Sequence, residues 1–170
     1  MSIIFTFFMF ASGCGFLLSF IEHVSALFGI PSSIGQFSKY LNFGLFVVWL
    51  PAVLAANSLA KDFKQREFWK AVLRACPKWM KNMSYFFFGY AILNFILFGI
   101  DSSVSGASPN PGRLSSGHLM AFYSVAMGIL YSVLHVKEHD KTRRCPNGHP
   151  TSPAANFCEQ CGAKIVEKLR

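Results

Sequence analysis

Charged side chains are scarce in this chain. Asp, Glu, Lys and Arg make up 14% of its 170 residues, whereas 52% of the residues are hydrophobic and 19 are Phe. A soluble globular domain typically has about 25% charged residues, because its surface must be hydrated. The composition therefore excludes an ordinary soluble domain and indicates a protein whose solvent is the lipid bilayer.

Acidic and basic residues are missing altogether from four apolar stretches of the chain. A helix that crosses the hydrocarbon of a bilayer needs about 20 mostly apolar residues. None of the four stretches has the polar face that a helix of a soluble protein turns to water. We therefore predict an all-α membrane protein whose domain covers residues 1–136, with four transmembrane helices at about residues 3–21, 41–60, 83–100 and 117–136.

The lack of ionisable residues in these spans also limits the function. An ion or proton route through a membrane needs such residues at depth, so their absence argues against a pump. No carboxylate pair, and no nucleophile with a paired base, lies in the spans, so we expect no enzyme activity. Small residues recur every four positions, at Ala11 and Gly15 and again at Ser124, Gly128 and Ser132, and this spacing predicts close helix packing.

Basic residues are also scarce in two of the connecting segments. Lys39 and Arg113 are the only ones in the first and third loops, whereas seven lie between Lys61 and Lys81 and seven more follow the fourth span. Basic residues stay on the cytoplasmic side during insertion. The pattern predicts a multi-pass protein of the inner (cytoplasmic) membrane, with both termini and the second loop in the cytoplasm.

Apolar residues recur at helical spacing through the basic second loop. They are Phe63, Phe68, Trp69, Val72, Leu73 and Cys76. The pattern predicts an interfacial amphipathic helix at about residues 61–76, with Trp69 and Trp79 at headgroup depth. The favoured partner of this helix is the membrane itself, through anionic lipid headgroups. A protein partner is the alternative, and nucleic acid is the least favoured because the aromatic face would already lie in the membrane.

Only five cysteines are present, and three of them lie in one polar segment near the end of the chain. Three residues separate Cys145 from His149, and two separate Cys158 from Cys161. Two such close pairs can aim four ligands at one tetrahedral ion. Thiolates with an imidazole suit zinc, and four protein ligands leave no open position for a substrate. We predict a structural zinc site at these four residues, with iron as a minor alternative.

The segment around these ligands, predicted as a zinc domain at residues 143–170 after a linker at 137–142, also resembles a known module. "CPNGHPTSPAANFCEQCGAKI" is similar to the short zinc-ribbon domain found at the ends of many bacterial and archaeal proteins. The resemblance is carried by Cys145, Pro146, Asn147, Gly148, His149, Phe157, Cys158, Cys161 and Gly162. His149 stands where the commoner form has cysteine. The resemblance implies a role in protein binding, nucleic-acid binding or scaffolding, and it does not extend to the membrane part.

The cysteines and histidines of the chain allow two alternative interpretations, a disulfide and a haem site. A disulfide or redox pair at Cys158 and Cys161 would leave Cys145 and His149 unexplained, and the cytoplasm is reducing. His23 follows the first span and His118 begins the fourth, so two imidazoles on the outer side could ligate a haem iron. Interfacial histidines that face headgroups and water are the favoured interpretation of that pair.

These features favour a non-catalytic integral membrane protein that anchors a cytoplasmic zinc ribbon for protein contacts. An accessory or assembly subunit of a larger membrane complex is the role we expect, with membrane lipids and either other membrane subunits or further copies of the chain as partners. A small oligomeric channel or transporter, whose ribbon senses metal or gates the pore, is the alternative. No small-molecule substrate is indicated.

Overall fold

The computed structural model describes residues 2–30, 38–105, 111–141, 144–152 and 155–165. All regular structure in these residues is helical, and β pairing is limited to two isolated bridges. A short 3-10 turn covers Gln65–Glu67. The helices are α1 (Ser2–Leu27), α2 (Ser38–Ala60), α3 (Phe68–Val72), α4 (Lys78–Ser105) and α5 (Pro111–Lys141).

Three helices in the described ranges are long and apolar enough to cross a membrane. They are α1 over Ile3–Leu27, α2 over Lys39–Ala60 and α5 over Arg113–Asp140. The prediction of an all-helical membrane protein is confirmed, and the predicted first, second and fourth spans all lie inside these helices.

The predicted third span, at residues 83–100, is helical but is not one of these three. It lies inside α4, whose first turn contains Lys78 and Lys81 and whose middle contains Asn94. These polar residues reduce the apolar character of the part of α4 that is described. The described residues therefore contain three helices that qualify as membrane spans, and not the four that were predicted.

The bundle is organised around α5, which packs against α1, α4 and α2. Helices α1 and α5 are antiparallel, because Gly15 lies against Tyr123 whereas His23, further along α1, is hydrogen-bonded to Ser116, which is earlier in α5. Close approach is possible because Gly15 has no side chain. The predicted small-residue seam is thus an internal contact of the bundle.

Helix α4 is also antiparallel to α5. The Ser84 hydroxyl donates to the carbonyl of Ser124 at 3.3 Å, and Asn94 is hydrogen-bonded to Arg113. Residues 84 to 94 of α4 therefore run beside the first half of α5.

Helix α2 runs parallel to α5. Near its start, the carbonyl of Leu41 accepts a 2.7 Å hydrogen bond from the Tyr123 hydroxyl. Near its end, Leu59 is joined to Asp140 through the side chain of Arg74. The first residues of α1, the end of α2, the start of α4 and the end of α5 consequently meet at one end of the bundle, which we call the base.

The predicted amphipathic helix at residues 61–76 is not continuous. The chain turns after Lys61, forms the 3-10 turn and then only the five residues of α3. Val72, Leu73 and Cys76 are buried in the core of the bundle. A straight helix lying flat on the membrane could not bury these side chains there, so the segment bends. The apolar residues of this segment therefore pack mainly on protein.

The first five residues of the predicted linker at 137–142 are helical, because α5 continues through Lys141. An ion pair between Asp140 and Arg74 holds the last turn of α5 against the base. Residue 142 lies outside the described residues, as do residues 143, 153–154 and 166–170 of the predicted zinc domain.

Candidate metal centre

The first pair of predicted ligands lies on a tight turn. The N–H of Gly148 donates to the carbonyl of Cys145 at 2.9 Å, and the N–H of Cys145 donates to the carbonyl of His149 at 2.9 Å. Gly148 has a φ of +83°, a conformation that costs little only without a Cβ atom. An isolated bridge between Arg144 and Pro150 closes the turn, so that Cys145 and His149 point to the same side.

The second pair repeats this construction. The N–H of Gly162 donates to the carbonyl of Cys158 at 2.9 Å, and the N–H of Cys158 donates to the carbonyl of Ala163 at 2.8 Å. Gly162 has a φ of +67°, and a bridge between Phe157 and Lys164 closes the turn. Both turns thus depend on a glycine next to the second ligand, which Gly148 precedes and Gly162 follows.

The structure brings the four predicted ligands, Cys145, His149, Cys158 and Cys161, into one cluster. Their ligand atoms all lie within 4.8 Å of one another. The Cys145 Sγ is 3.7 Å from the Cys161 Sγ and 3.6 Å from the His149 Nδ1, which is 3.8 Å from the Cys158 Sγ. A tetrahedral zinc ion requires about 3.8 Å between two sulfurs and about 3.5 Å between sulfur and nitrogen. The cluster could hold a metal ion of that size.

The thiols differ in their surroundings. Cys145 and Cys158 are buried, whereas Cys161 is exposed. Hydrogen bonds from the backbone of Ala163 and from the His149 ring lower the pKa of Cys161 to about 6, whereas desolvation raises the pKa of Cys158. Because the thiolate is the form that binds metal, Cys161 is more ready to do so than Cys158.

A polar side chain outside the ligand set also contacts the cluster. The amide of Asn147 donates to the Sγ of Cys161 at 3.4 Å. Such a bond orients a thiolate and stabilises its charge. In the sequence, Asn147 is identified only through the resemblance to the zinc ribbon, because spacing alone identifies ligands and not their supporting residues.

All five cysteines have free thiols, so the disulfide alternative for Cys158 and Cys161 finds no support. Three thiols and one imidazole form a donor set that fits zinc, and four protein donors complete a tetrahedral shell. No fifth group is required to close the site.

The two histidines considered as haem ligands form hydrogen bonds with different partners. The Nδ1 of His23 is 2.9 Å from the Ser116 hydroxyl and its Nε2 is 2.5 Å from the Tyr90 hydroxyl. The Nδ1 of His118 is hydrogen-bonded to the carbonyl of Leu114 at 2.8 Å. A haem iron needs an uncommitted ring nitrogen, and His23 has none.

The surroundings of His23 form a buried polar network that the predicted spans do not reveal. Asn94 and Arg113 are joined by two hydrogen bonds of 3.1 and 3.2 Å, next to Ser116. Glu22 is also buried, and its Oε2 has no hydrogen-bond partner among the described residues. A first span that ends at residue 21 places Glu22 and His23 in a loop, whereas in the structure α1 continues to Leu27. Their helical spacing from Ser19 is the signal that places them on the same buried face.

Comparison with protein-family models, with curated proteins and with solved structures gives no match to this chain.

Proposed function

We propose that this protein is a non-catalytic membrane protein whose helical bundle anchors a zinc-ribbon module for contacts with other proteins, as an accessory or assembly subunit of a larger membrane complex. The observation that carries the proposal is the closed four-ligand cluster, whose first ligand, Cys145, follows the end of α5 at Lys141 by four positions. So short a connection keeps the module close to the membrane surface.

Zinc is the metal that we assign to the cluster, and its role is structural. Four protein donors leave no coordination position for water or substrate, as catalysis by a metal would require. The module has too few residues to fold on a core of its own, so metal binding would supply its folding free energy, about 10–16 kcal/mol in zinc-finger peptides.

Helix α4 is the proposed fourth span. It runs beside α5, a helix long enough to cross the membrane, so its residues lie at the same depth. Its outward surface exposes large apolar side chains that water would not favour, among them Phe86, Ile92, Phe95 and Ile96. Lipid is the solvent that suits such a surface.

The topology that we propose has the base of the bundle, both termini and the metal module in the cytoplasm. The first residues of α1 and the last of α5 meet at the base, as an even number of crossings requires. Fourteen of the 16 basic residues lie in residues 61–81 or 137–170, and both ranges adjoin the base.

The module has a surface suited to protein contact. Phe157, next to the ligand Cys158, is 59% exposed. Exposed aromatic side chains on a rigid scaffold are frequent anchors of protein interfaces. Phe157 is therefore the residue that we expect to lie at the centre of the contact.

The proposal is tested by purifying the protein from its native membrane in a mild detergent. Metal analysis and identification of co-purifying proteins are carried out on the same sample. We expect one zinc ion per chain and a stoichiometric membrane-protein partner. A chain with both Cys158→Ser and Cys161→Ser should lose zinc and partner but remain in the membrane, whereas Cys14→Ser, the matched control, should lose neither.

Two results would contradict the proposal. Absence of zinc from the purified protein would remove the structural role of the cluster. Retention of the partner by the double variant would show that the bundle, and not the module, makes the contact. The variant Phe157→Ala separates these possibilities, because it should keep zinc while losing the partner.

A second candidate, a small channel or transporter, is favoured by the buried face of α1. Glu22 and His23 lie inside the bundle, and one oxygen of Glu22 has no hydrogen-bond partner in the described part of the chain. Buried ionisable residues in a span are typical of ion routes. Ion flux into vesicles containing the purified protein, abolished by Glu22→Gln, would favour this candidate over the anchor.

A further inference from the structure

The segment from residue 61 to residue 81 lies at the base of the bundle, between the end of α2 and the first turn of α4. It contains seven basic residues and only two acidic ones, Asp62 and Glu67. Lys61, Lys64 and Arg66 are exposed. The segment therefore presents a positive surface where apolar helices leave the membrane.

The structure fixes this segment in place. Val72, Leu73 and Cys76 are buried in the core, and the Cys76 thiol donates to the carbonyl of Gly128 at 2.9 Å. Arg74 is committed to internal contacts with Asp140 and Leu59. The exposed cations consequently belong to a segment that is anchored on the core, so binding a ligand there would order little additional backbone.

Two exposed tryptophans follow these cations in the chain. Trp69 on α3 is 45% exposed and Trp79 in the first turn of α4 is 60% exposed. Tryptophan favours the headgroup region of a bilayer, where its ring is in an apolar surrounding and its N–H remains hydrated. Trp79 precedes the apolar part of α4 by only a few residues, which places both the aromatic and the basic side chains at the membrane boundary.

We infer that this surface, formed by Lys61, Lys64, Arg66, Trp69 and Trp79, binds the headgroups of anionic phospholipids. The lipid phosphate complements the cations, and the acyl chains lie beside the exposed apolar side chains of the bundle. A nucleic acid or an acidic peptide would also complement the charge. Neither would account for two exposed tryptophans next to the spans.

The inference concerns a different surface from the metal module, and it holds whether or not the module binds a partner protein. It also differs from the sequence-based expectation of an amphipathic helix that buries its apolar face in lipid. In the structure that face packs mainly on the core. The proposed contact with lipid is instead made by the cations and the tryptophans.

Tryptophan fluorescence in vesicles tests the inference. The protein carries Trp49→Phe, so that only Trp69 and Trp79 report, and is reconstituted in mixtures of phosphatidylcholine and phosphatidylglycerol. One lipid or the other is brominated in its acyl chains, and bromine quenches tryptophan on contact. We expect phosphatidylglycerol to be preferred at least fivefold next to these tryptophans, and the preference to decline as salt is added.

Two double variants each remove two positive charges, one pair inside the proposed surface and one pair outside it. Lys64→Gln with Arg66→Gln should reduce the preference at least threefold, whereas Lys39→Gln with Lys164→Gln should leave it unchanged. Both pairs are exposed, and gel filtration verifies that each variant is folded.

Three results would overturn the inference. The first is equal quenching by the two brominated lipids in the parent protein. The second is an equal loss of preference in the two double variants, which would mean that only net charge matters. The third is a preference abolished by 10 mM inorganic phosphate but not by sodium chloride of equal ionic strength, which would assign the surface to free phosphate.

Discussion

The guanidinium of Arg74 forms a two-point ion pair with the carboxylate of Asp140, with N–O distances of 3.3 Å from Nε and 3.1 Å from Nη2. The Nη1 of Arg74 donates to the carbonyls of Leu59 and Ala71 at 2.8 and 2.9 Å, and the guanidinium lies over the ring of Phe63. One side chain thus joins the end of α2, the segment that contains α3 and the last turn of α5.

Replacing Arg74 should destabilise the base of the bundle. The side chains of Arg74 and Asp140 are only 13% and 23% exposed, so water screens their interaction weakly. Arg74→Ala would leave the Asp140 carboxylate with only its contact to His139 and would remove a donor from the Leu59 carbonyl, so we expect a loss of about 2–4 kcal/mol in the free energy of unfolding. Thermal unfolding in detergent measures this loss.

Arg66→Ala is the control for that measurement, because Arg66 is exposed and lies in the same segment. Its melting temperature should equal that of the parent. An Arg74→Ala protein as stable as Arg66→Ala would show that the ion pair contributes nothing. In a double-mutant cycle with Asp140→Ala, the two losses should not add, since both changes remove the same interaction.

The contact of α1 with α5 makes a prediction about glycine. A Cβ atom at Gly15 would lie 2.4 Å from the Tyr123 ring, and that ring is held by its hydrogen bond to the Leu41 carbonyl. Gly15→Ala should therefore force the helices apart and lower the free energy of unfolding by about 1–3 kcal/mol. Unfolding in SDS titrations is a suitable measurement.

Gly89→Ala is the matched control, since nothing lies within 4 Å of a Cβ atom at that position in α4. Alanine favours the helix by up to about 1 kcal/mol over glycine, so this variant should be as stable as the parent or slightly more so. Equal behaviour of the two alanine variants would contradict the close packing of α1 on Tyr123.

Local patterns predicted the parts of this protein that depend on local chemistry. Uncharged apolar stretches are sufficient to find membrane helices, because a single helix satisfies its own backbone in lipid. The spacing of Cys145, His149, Cys158 and Cys161 was enough to find the metal cluster, because each ligand pair lies on one tight turn.

Contacts between distant residues could not be predicted in this way. The periodicity of Val72 and Leu73 indicates an apolar face but not whether protein or lipid covers it. His23 bonds to Ser116, 93 residues later, and no pattern within either helix signals that pairing. The end of the first span could not be located from local pattern either. The charge of Glu22 indicates a loop, but this residue is buried in α1.

Because the thiol of Cys76 is buried, the protein should become less stable at alkaline pH. Burial raises the pKa of Cys76 from 9.0 to about 12. Above pH 9 the unfolded chain loses this proton while the folded chain keeps it, so stability falls as the pH rises towards 12. The contribution of this thiol is at most about 1.4 kcal/mol per pH unit.

Unfolding measured between pH 8 and pH 11 in the parent and in Cys76→Ala isolates this contribution from other groups. The variant starts lower, because it lacks the hydrogen bond to Gly128, but its stability should decline less steeply with pH. Cys14→Ala, the control, should decline as the parent does. Parallel curves for the parent and Cys76→Ala would show that the thiol ionises equally in both states.

The bond from Asn147 to Cys161 should strengthen metal binding without being required for it. Asn147→Ala removes a donor to the sulfur at 3.4 Å but no ligand, so we expect zinc affinity to fall about tenfold. Cys158→Ser removes a ligand and should cost far more. Competition with a chromophoric zinc chelator measures both, and Asn156→Ala, which keeps the backbone bond to Ile165, should bind zinc as the parent does. Unchanged affinity in Asn147→Ala would mean that the ligands alone determine the strength of the site.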